Sequence, residues 1–143
     1  MKTSIGIWID KEKAFIVTLN DSQGFKMIPS YIADHYFEAK RVPHSERAGH
    51  TQIDLKERVQ KHEHEVIKNY LKKVLSELKD ASEIVIFGPS NMKNELKKMI
   101  EEDHNLASKL KAVENADFMT HNQIVAWVKT FFRGSARYTK TAV

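Results

Sequence analysis

The chain has 143 residues, enough for one domain with a real hydrophobic core and too few for two ordinary domains. Its content of 41% hydrophobic and 29% charged residues is typical of a soluble globular protein, which excludes a disordered or fibrous class. Because the chain has no cysteine, disulfides, thiolate nucleophiles and cysteine-ligated metal sites are excluded as well.

The formal net charge of +4 is concentrated near the carboxyl terminus. No acidic residue follows Asp117, whereas four basic residues do: Lys129, Arg133, Arg137 and Lys140. Aromatic residues lie between these bases, a composition that suits phosphate contact and base stacking. We therefore expect residues 1–132 to form the domain and residues 133–143 to form a basic tail. The alternative is a frayed, solvated terminus.

Membrane insertion and secretion are not expected. No apolar run approaches the roughly 20 residues that a membrane span needs. The first residues alternate apolar and polar side chains, as a strand does and a signal peptide does not. These patterns predict a cytoplasmic protein.

The first part of the chain predicts three antiparallel strands. They are SIGIWID (residues 4–10), AFIVTLN (14–20) and GFKMIPSYI (24–32), separated by tight polar turns. Pro29 has no backbone N–H, so the third strand is expected at an edge of the sheet.

The rest of the chain alternates helix and strand. Apolar residues spaced three to four apart predict a long helix from Asp54 to about Lys79. EIVIFG predicts a strand buried on both faces, SNMKNELKKMIEE a helix capped by Ser90 or Asn91, LKAVENA a last strand, and THNQIVAWVKTFF a helix capped by Thr120. The order βββαβαβα predicts an α/β fold with a ribonuclease H-like mixed sheet, the late strands running parallel to the first.

A metal-dependent nuclease needs several carboxylates that converge near the sheet. Asp10 ends the first strand, but no acid follows the fourth strand, so Asp10 is interpreted as a turn residue. His62 and His64 point in different directions on a helix, and no zinc-ligand spacing is present. His62 falls on the apolar stripe, as a core or boundary histidine would. We expect no metal and no cofactor.

The segment GPSNMKNEL predicts a strand–turn–helix junction whose free backbone N–H groups, with Lys93, favour an anion. It lacks the glycines and the GK[ST] motif of a nucleotide-binding loop, so an ATP site is not expected. Ser90 and Lys93 are candidate RNA contacts. The alternative is a well-capped junction without a ligand.

A polar, basic segment, KRVPHSERAGHTQIDLKER, precedes and enters the long helix. Its bases outnumber its acids, so it could neutralise RNA phosphates, and its glycine gives the backbone freedom. The alternative is a surface loop of mixed charge. The candidate RNA-binding residues are Lys40, Arg41, Arg47, Gly49, His50, Lys56, Arg58 and Lys61, with Arg133 and Arg137 from the tail.

Several stretches together resemble small bacterial proteins related to the middle domain of archaeal and eukaryotic class I peptide-release factors. They are GIWIDKEKAFIVTL, the polar loop with its long helix, IVIFGPSNMKNELKKMI and ADFMTHNQIVAWVKTFF, and the likeness extends to about Arg133. The resemblance implies a ribonuclease H-like fold as in components of the translational machinery. It also implies ribosomal RNA or tRNA as the partner, with no DNA expected.

In that family the loop before the long helix carries a Gly-Gly-Gln tip that enters the peptidyl-transferase centre. The resemblance places Arg47-Ala48-Gly49-His50 where Arg-Gly-Gly-Gln would stand. It thus implies a module that docks on the ribosome or tRNA without the glutamine. Two alternatives remain: a peptidyl-tRNA hydrolase for ribosome rescue with His50 as general base, and a protein-interaction domain that has lost the RNA role.

Overall fold

The computed structural model describes residues 2–20, 23–32 and 52–141, with side chains for all of these except 52–55 and 135–141. These ranges contain five strands: β1 (Ser4–Ile9), β2 (Lys13–Leu19), β3 (Gln23–Pro29), β4 (Glu83–Gly88) and β5 (Leu110–Asn115). They contain four helices: α1 (Gln52–Ser76), α2 (Met92–Glu102), α3 (His104–Ala107) and α4 (His121–Thr141).

The strands form one mixed sheet in the order β3-β2-β1-β4-β5. β1 pairs antiparallel with β2 and parallel with β4, while β2 pairs antiparallel with β3 and β4 parallel with β5. The predicted ribonuclease H-like mixed sheet and its α/β class are therefore confirmed. β3 lies at an edge and ends at Pro29, as the missing N–H of that residue predicts.

Strand β1 is buried along its whole length because helices cover both faces of the sheet. Ile5, Ile7 and Ile9 belong to a core shared with α1 and α2, which includes Tyr70, Val74 and Leu96. Trp8 belongs to a second core, on the other face, shared with α4. Successive side chains of a strand point to opposite faces, so β1 contributes to both cores.

Two glycines permit close approaches that a side chain would block. A Cβ on Gly6 would lie 2.3 Å from Val128 Cγ2, so α4 packs almost directly on the backbone of β1. Gly88 has φ +150°, and a Cβ there would lie 2.3 Å from the Ile9 carbonyl oxygen. The end of β4 therefore requires glycine on both conformational and steric grounds.

Helix α4 begins with a reciprocal cap. Thr120 Oγ1 accepts a hydrogen bond from the Gln123 backbone N–H at 3.2 Å, and Gln123 Oε1 accepts one from the Thr120 N–H at 2.9 Å. The predicted Thr120 cap is confirmed. The helix continues through Arg133 to Thr141, so residues 133–141 are helical. The proposed division into a domain and a tail at residue 132 stays a prediction.

The short helix α3 was not predicted. Helix α2 ends in Glu101 and Glu102, although carboxylates are unfavourable near a helix C-terminus. Asp103, however, is the N-cap of α3, and its Oδ1 accepts a hydrogen bond from the Asn105 N–H at 2.9 Å. The carboxylate thus stabilises the start of the next helix.

Candidate nucleic-acid interface

The predicted RNA-binding residues fall into groups at different places in the chain. Lys40, Arg41, Arg47, Gly49 and His50 lie outside the described residues. The others lie in three places: Lys56, Arg58 and Lys61 on α1, Ser90 and Lys93 at the junction of β4 and α2, and Arg133 and Arg137 on α4.

Helix α1 is fixed to the sheet through one apolar stripe. Val66, Tyr70 and Val74 are buried, and the Tyr70 hydroxyl donates a hydrogen bond to the Asp10 carbonyl oxygen at 3.0 Å. Burial, with a smaller contribution from the negative charge of Asp10, raises the pKa of Tyr70 above its usual value. The phenol therefore stays protonated and can donate, which holds α1 to the end of β1.

The opposite side of α1 carries lysines. Lys61, Lys68 and Lys72 are exposed and follow each other at intervals of seven and four residues, which places them on one face of the helix. At 1.5 Å per residue this row spans about 16 Å. Among the described side chains, none of these three lysines forms an ion pair within 4.0 Å. We call Lys61, Lys68 and Lys72 the α1 lysine row.

Only one member of this row was identified from the sequence. Lys61 belongs to the candidate RNA-binding residues of the polar segment, whereas Lys68 and Lys72 lie outside that set. The signal that would have identified them is the helical spacing that predicted the buried stripe, applied to the opposite face.

The junction of β4 and α2 satisfies its own polar groups. Ser90 Oγ accepts a hydrogen bond from the Met92 N–H at 3.2 Å. Lys93 Nζ donates one to the Ser90 carbonyl oxygen at 2.9 Å, and Lys93 is only 8% exposed. Asn91 occupies the N-cap position without a capping hydrogen bond from its side chain. An RNA contact through Ser90 and Lys93 stays a prediction, and it would require the lysine to leave this position.

The exposed lysines of α2 are paired with neighbouring carboxylates. Lys97 Nζ lies 3.7 Å from Glu101 Oε1, and Lys98 Nζ lies 3.8 Å from Glu95 Oε1. These helical pairs reduce the positive field of α2.

The Asp10 side chain accepts hydrogen bonds from the backbone of the turn that follows it. Its Oδ1 accepts hydrogen bonds from the N–H groups of Glu12 and Lys13 at 2.8 and 2.9 Å. Asp10 is therefore a turn residue, as predicted. His62 is half-buried and lines a cleft between α1 and the end of β3, consistent with a boundary position. Within residues 2–20, 23–32 and 52–141, no three His, Asp or Glu side chains converge to hold a metal.

Helix α4 presents Arg133 to solvent. Arg137 lies one turn further along the same helix, within its bounds at His121–Thr141. The helix covers the face of the sheet opposite α1, so Arg133 and the α1 lysine row lie on different sides of the protein. None of the helices in the described ranges is long and apolar enough to cross a membrane.

Comparison with solved structures finds the crystal structure of an archaeal translation termination factor, aRF1. The likeness covers 98% of this chain and 42% of that chain, with a TM-score of 0.46 and 14% sequence identity. This chain thus spans less than half the length of the protein it matches. No protein-family model matches the sequence. A search of curated proteins finds no match either.

Proposed function

We propose that the protein is a translation-associated RNA-binding module that docks on ribosomal RNA or tRNA. The observation that carries the proposal is the α1 lysine row: three exposed ammonium groups on one face of a rigidly held helix, with no carboxylate partner among the described residues. Lysines arranged in this way bind phosphates through charge and release counterions on doing so.

The row adjoins the basic segment that the sequence analysis identified. Lys56, Arg58 and Lys61 occupy the first turns of α1, directly after the residues that contain Lys40, Arg41 and Arg47. We propose that the segment and the helix act as one interface, with Gly49 and His50 near its tip. The assignment to translation rests on the sequence resemblance to release-factor middle domains.

Within the described residues, the geometry favours α1 over the junction of β4 and α2 and over α2 itself. Lys93 is buried against the Ser90 carbonyl, and the exposed lysines of α2 are paired. A phosphate approaching α2 would compete with carboxylates already in place. A phosphate approaching Lys61, Lys68 or Lys72 meets ammonium groups that hold no ion pair among the described side chains. The exposed Glu65 lies between Lys61 and Lys68 on the same side of α1 and offsets part of their charge.

Sedimentation of the protein with ribosomes and separated subunits tests the proposal, first at low and then at moderate salt. We expect co-migration that weakens as salt rises, because phosphate contacts are screened and counterion release is less favourable. A parallel binding assay with free tRNA distinguishes the two RNA partners. Absence of binding to ribosomes, subunits and tRNA at low salt would contradict the proposal.

Two triple variants distinguish binding through the α1 lysine row from binding through the overall charge of the protein. Lys61→Gln/Lys68→Gln/Lys72→Gln removes the α1 lysine row, whereas Lys97→Gln/Lys98→Gln/Lys111→Gln removes the same charge from exposed lysines elsewhere. We expect the first variant to lose co-migration at moderate salt and the second to retain most of it. Equal loss in both would mean that binding reflects overall charge and not this helix face.

A further inference from the structure

The face of the sheet opposite α1 carries an open aromatic groove. It has a volume of about 690 Å³ and lies between α4 and the segment before it. We call it the aromatic groove and define it by Phe118, Met119, Gln123, Trp127, Thr130 and Phe131. Phe118 is 71% exposed, so a large apolar side chain faces solvent at this groove.

The floor of the groove is rigid. Trp127 stacks on Phe87 of β4 with ring centroids 3.8 Å apart and an interplanar angle of 10°. Phe131 lies parallel to Trp127 at 5.5 Å. Phe118 is braced against the buried Trp8 at 5.7 Å, and Trp8 Nε1 donates a hydrogen bond to the Asp117 carbonyl at 3.1 Å. Such preformed aromatic surfaces bind without much ordering cost.

Carboxylates border this surface. Asp117 lines the groove and is exposed. Glu114 is also exposed and is paired in register with Phe87, so its side chain leaves the sheet on the same face, next to the Phe87–Trp127 stack. Gln123, Trp127 and Thr130 recur at helical spacing along one side of α4, and Lys129 projects from another side. Arg133 follows Thr130 by three residues, so it borders the groove at the end far from Phe118, and the carboxylates border it at the Phe118 end.

Exposed aromatic rings beside two carboxylates favour a basic peptide over RNA as the ligand of the groove. Phosphates would be repelled by Asp117 and Glu114, whereas arginine or lysine can pair with these carboxylates and also stack on exposed aromatic rings. A large apolar side chain between such basic residues would cover Phe118 and Trp127. Aromatic anchors surrounded by complementary charge are the usual centres of protein interfaces.

We infer that the aromatic groove docks a protein segment in which a large apolar residue is flanked by arginine or lysine. The inference does not depend on RNA binding at α1, because the two surfaces lie on opposite faces of the sheet. It assigns the protein a second partner that can be bound together with RNA.

Fluorescence anisotropy with synthetic probes tests the inference on the full chain. The probe is a short fluorescein-labelled peptide in which a Leu-Trp pair is flanked by arginines. Matched peptides replace either the arginines by glutamates or the Leu-Trp pair by serines. We expect the arginine-flanked peptide to bind at least about tenfold more tightly than either matched peptide. Equal binding of all three, or no binding at millimolar peptide, would overturn the inference.

Variants locate the binding. Phe118→Ser should weaken the binding of the arginine-flanked peptide about tenfold. Because the Phe118 side chain is mostly exposed, we expect this variant to keep the fold. Met27→Ser is the matched control, since Met27 is 50% exposed and lies on β3 at the far edge of the sheet. If both variants bind as the unchanged protein does, the groove is not the site.

A charge reversal tests the carboxylates. Glu114→Lys/Asp117→Lys should bind the glutamate-flanked peptide better than the arginine-flanked one, which a purely structural effect would not produce. The α1 variant Lys61→Gln/Lys68→Gln/Lys72→Gln should bind the arginine-flanked peptide normally. If Phe118→Ser instead abolishes RNA binding and leaves the peptide unaffected, the groove is an RNA site and the inference is wrong.

Discussion

The two faces of the sheet differ in chemistry although one strand supplies both. On the α1 face, Ile5, Ile7 and Ile9 pack against an aliphatic layer, and α1 turns lysines to solvent. On the α4 face, Trp8 anchors an aromatic layer that reaches the surface beside carboxylates. A core of two layers thus gives one small domain a surface that exposes lysines and a second surface that exposes aromatic rings beside carboxylates.

The packing of α4 on the sheet depends on the close contact between Gly6 and Val128. We expect the largest loss of stability from a substitution at this contact. Gly6→Ala places a Cβ 2.3 Å from Val128 Cγ2 in a fully buried site, so α4 must shift. We expect a loss of about 3 kcal/mol in the free energy of unfolding, measured by urea denaturation. The aromatic groove should be perturbed, with a change in tryptophan fluorescence, while the α1 face is largely retained.

A double-mutant cycle checks the cause of this loss. Val128→Ala removes the two methyl groups nearest to the new Cβ, so Gly6→Ala should cost less in that background than in the unchanged protein. Simple additivity of the two changes would contradict the steric explanation.

The α1 face has its own anchor in Tyr70. Tyr70→Phe removes the hydroxyl that donates to the Asp10 carbonyl and leaves that buried acceptor without this partner. We expect a loss of about 1–2 kcal/mol on urea denaturation. The aromatic groove should keep its affinity for the peptide probe, since it lies on the other face.

The raised pKa of Tyr70 gives the same contact a dependence on pH. The unfolded phenol ionises near pH 10, whereas burial keeps the folded phenol protonated to higher pH. The contribution of Tyr70 is therefore complete below pH 10 and declines as the pH rises above that value. The difference in the free energy of unfolding between the unchanged protein and Tyr70→Phe should therefore become smaller as the pH rises from about 10 to 11. A constant difference across this range would contradict the assignment.

The cap of α4 is expected to contribute less. Thr120→Ala removes the oxygen that accepts from the Gln123 N–H, which should cost about 1 kcal/mol. Thr120→Ser retains the hydroxyl and is the matched control. If the two variants unfold at the same urea concentration, the hydrogen bond seen at this cap does not stabilise α4.

The smallest effect is expected on α2. Lys97→Gln/Lys98→Gln breaks two exposed ion pairs, each of which should contribute no more than about 0.5 kcal/mol. The stability of this variant should fall further below that of the unchanged protein at low salt than at high salt, because screening weakens the pairs. A loss above about 1 kcal/mol would exceed the usual range for exposed pairs and contradict this account of α2.

The elements with strong local patterns were predictable from the sequence. Alternation predicted β1, Pro29 predicted the edge position of β3, and Thr120 predicted the start of α4. The long helix was predicted near Asp54–Lys79 and runs from Gln52 to Ser76. These features depend on residues close in sequence, whose propensities agree with the fold.

Features that depend on packing were not predictable from the sequence. The sequence does not show that Lys93 is buried with its ammonium bonded to the Ser90 carbonyl, and an RNA contact at Lys93 stays a prediction. The aromatic groove requires Phe118, Trp127 and Phe87 to meet from three parts of the chain. No local pattern in the sequence indicates such a meeting, since it is set by tertiary packing.

The most direct test of the central claim is the salt dependence of ribosome affinity for three proteins: the unchanged chain, the α1 variant Lys61→Gln/Lys68→Gln/Lys72→Gln, and the charge-matched control Lys97→Gln/Lys98→Gln/Lys111→Gln. We expect loss of the α1 lysine row to reduce the slope of log K against log salt by about 2–3, with little change for the control. A slope that is identical in the unchanged protein and the α1 variant would contradict the claim that α1 contacts RNA phosphates.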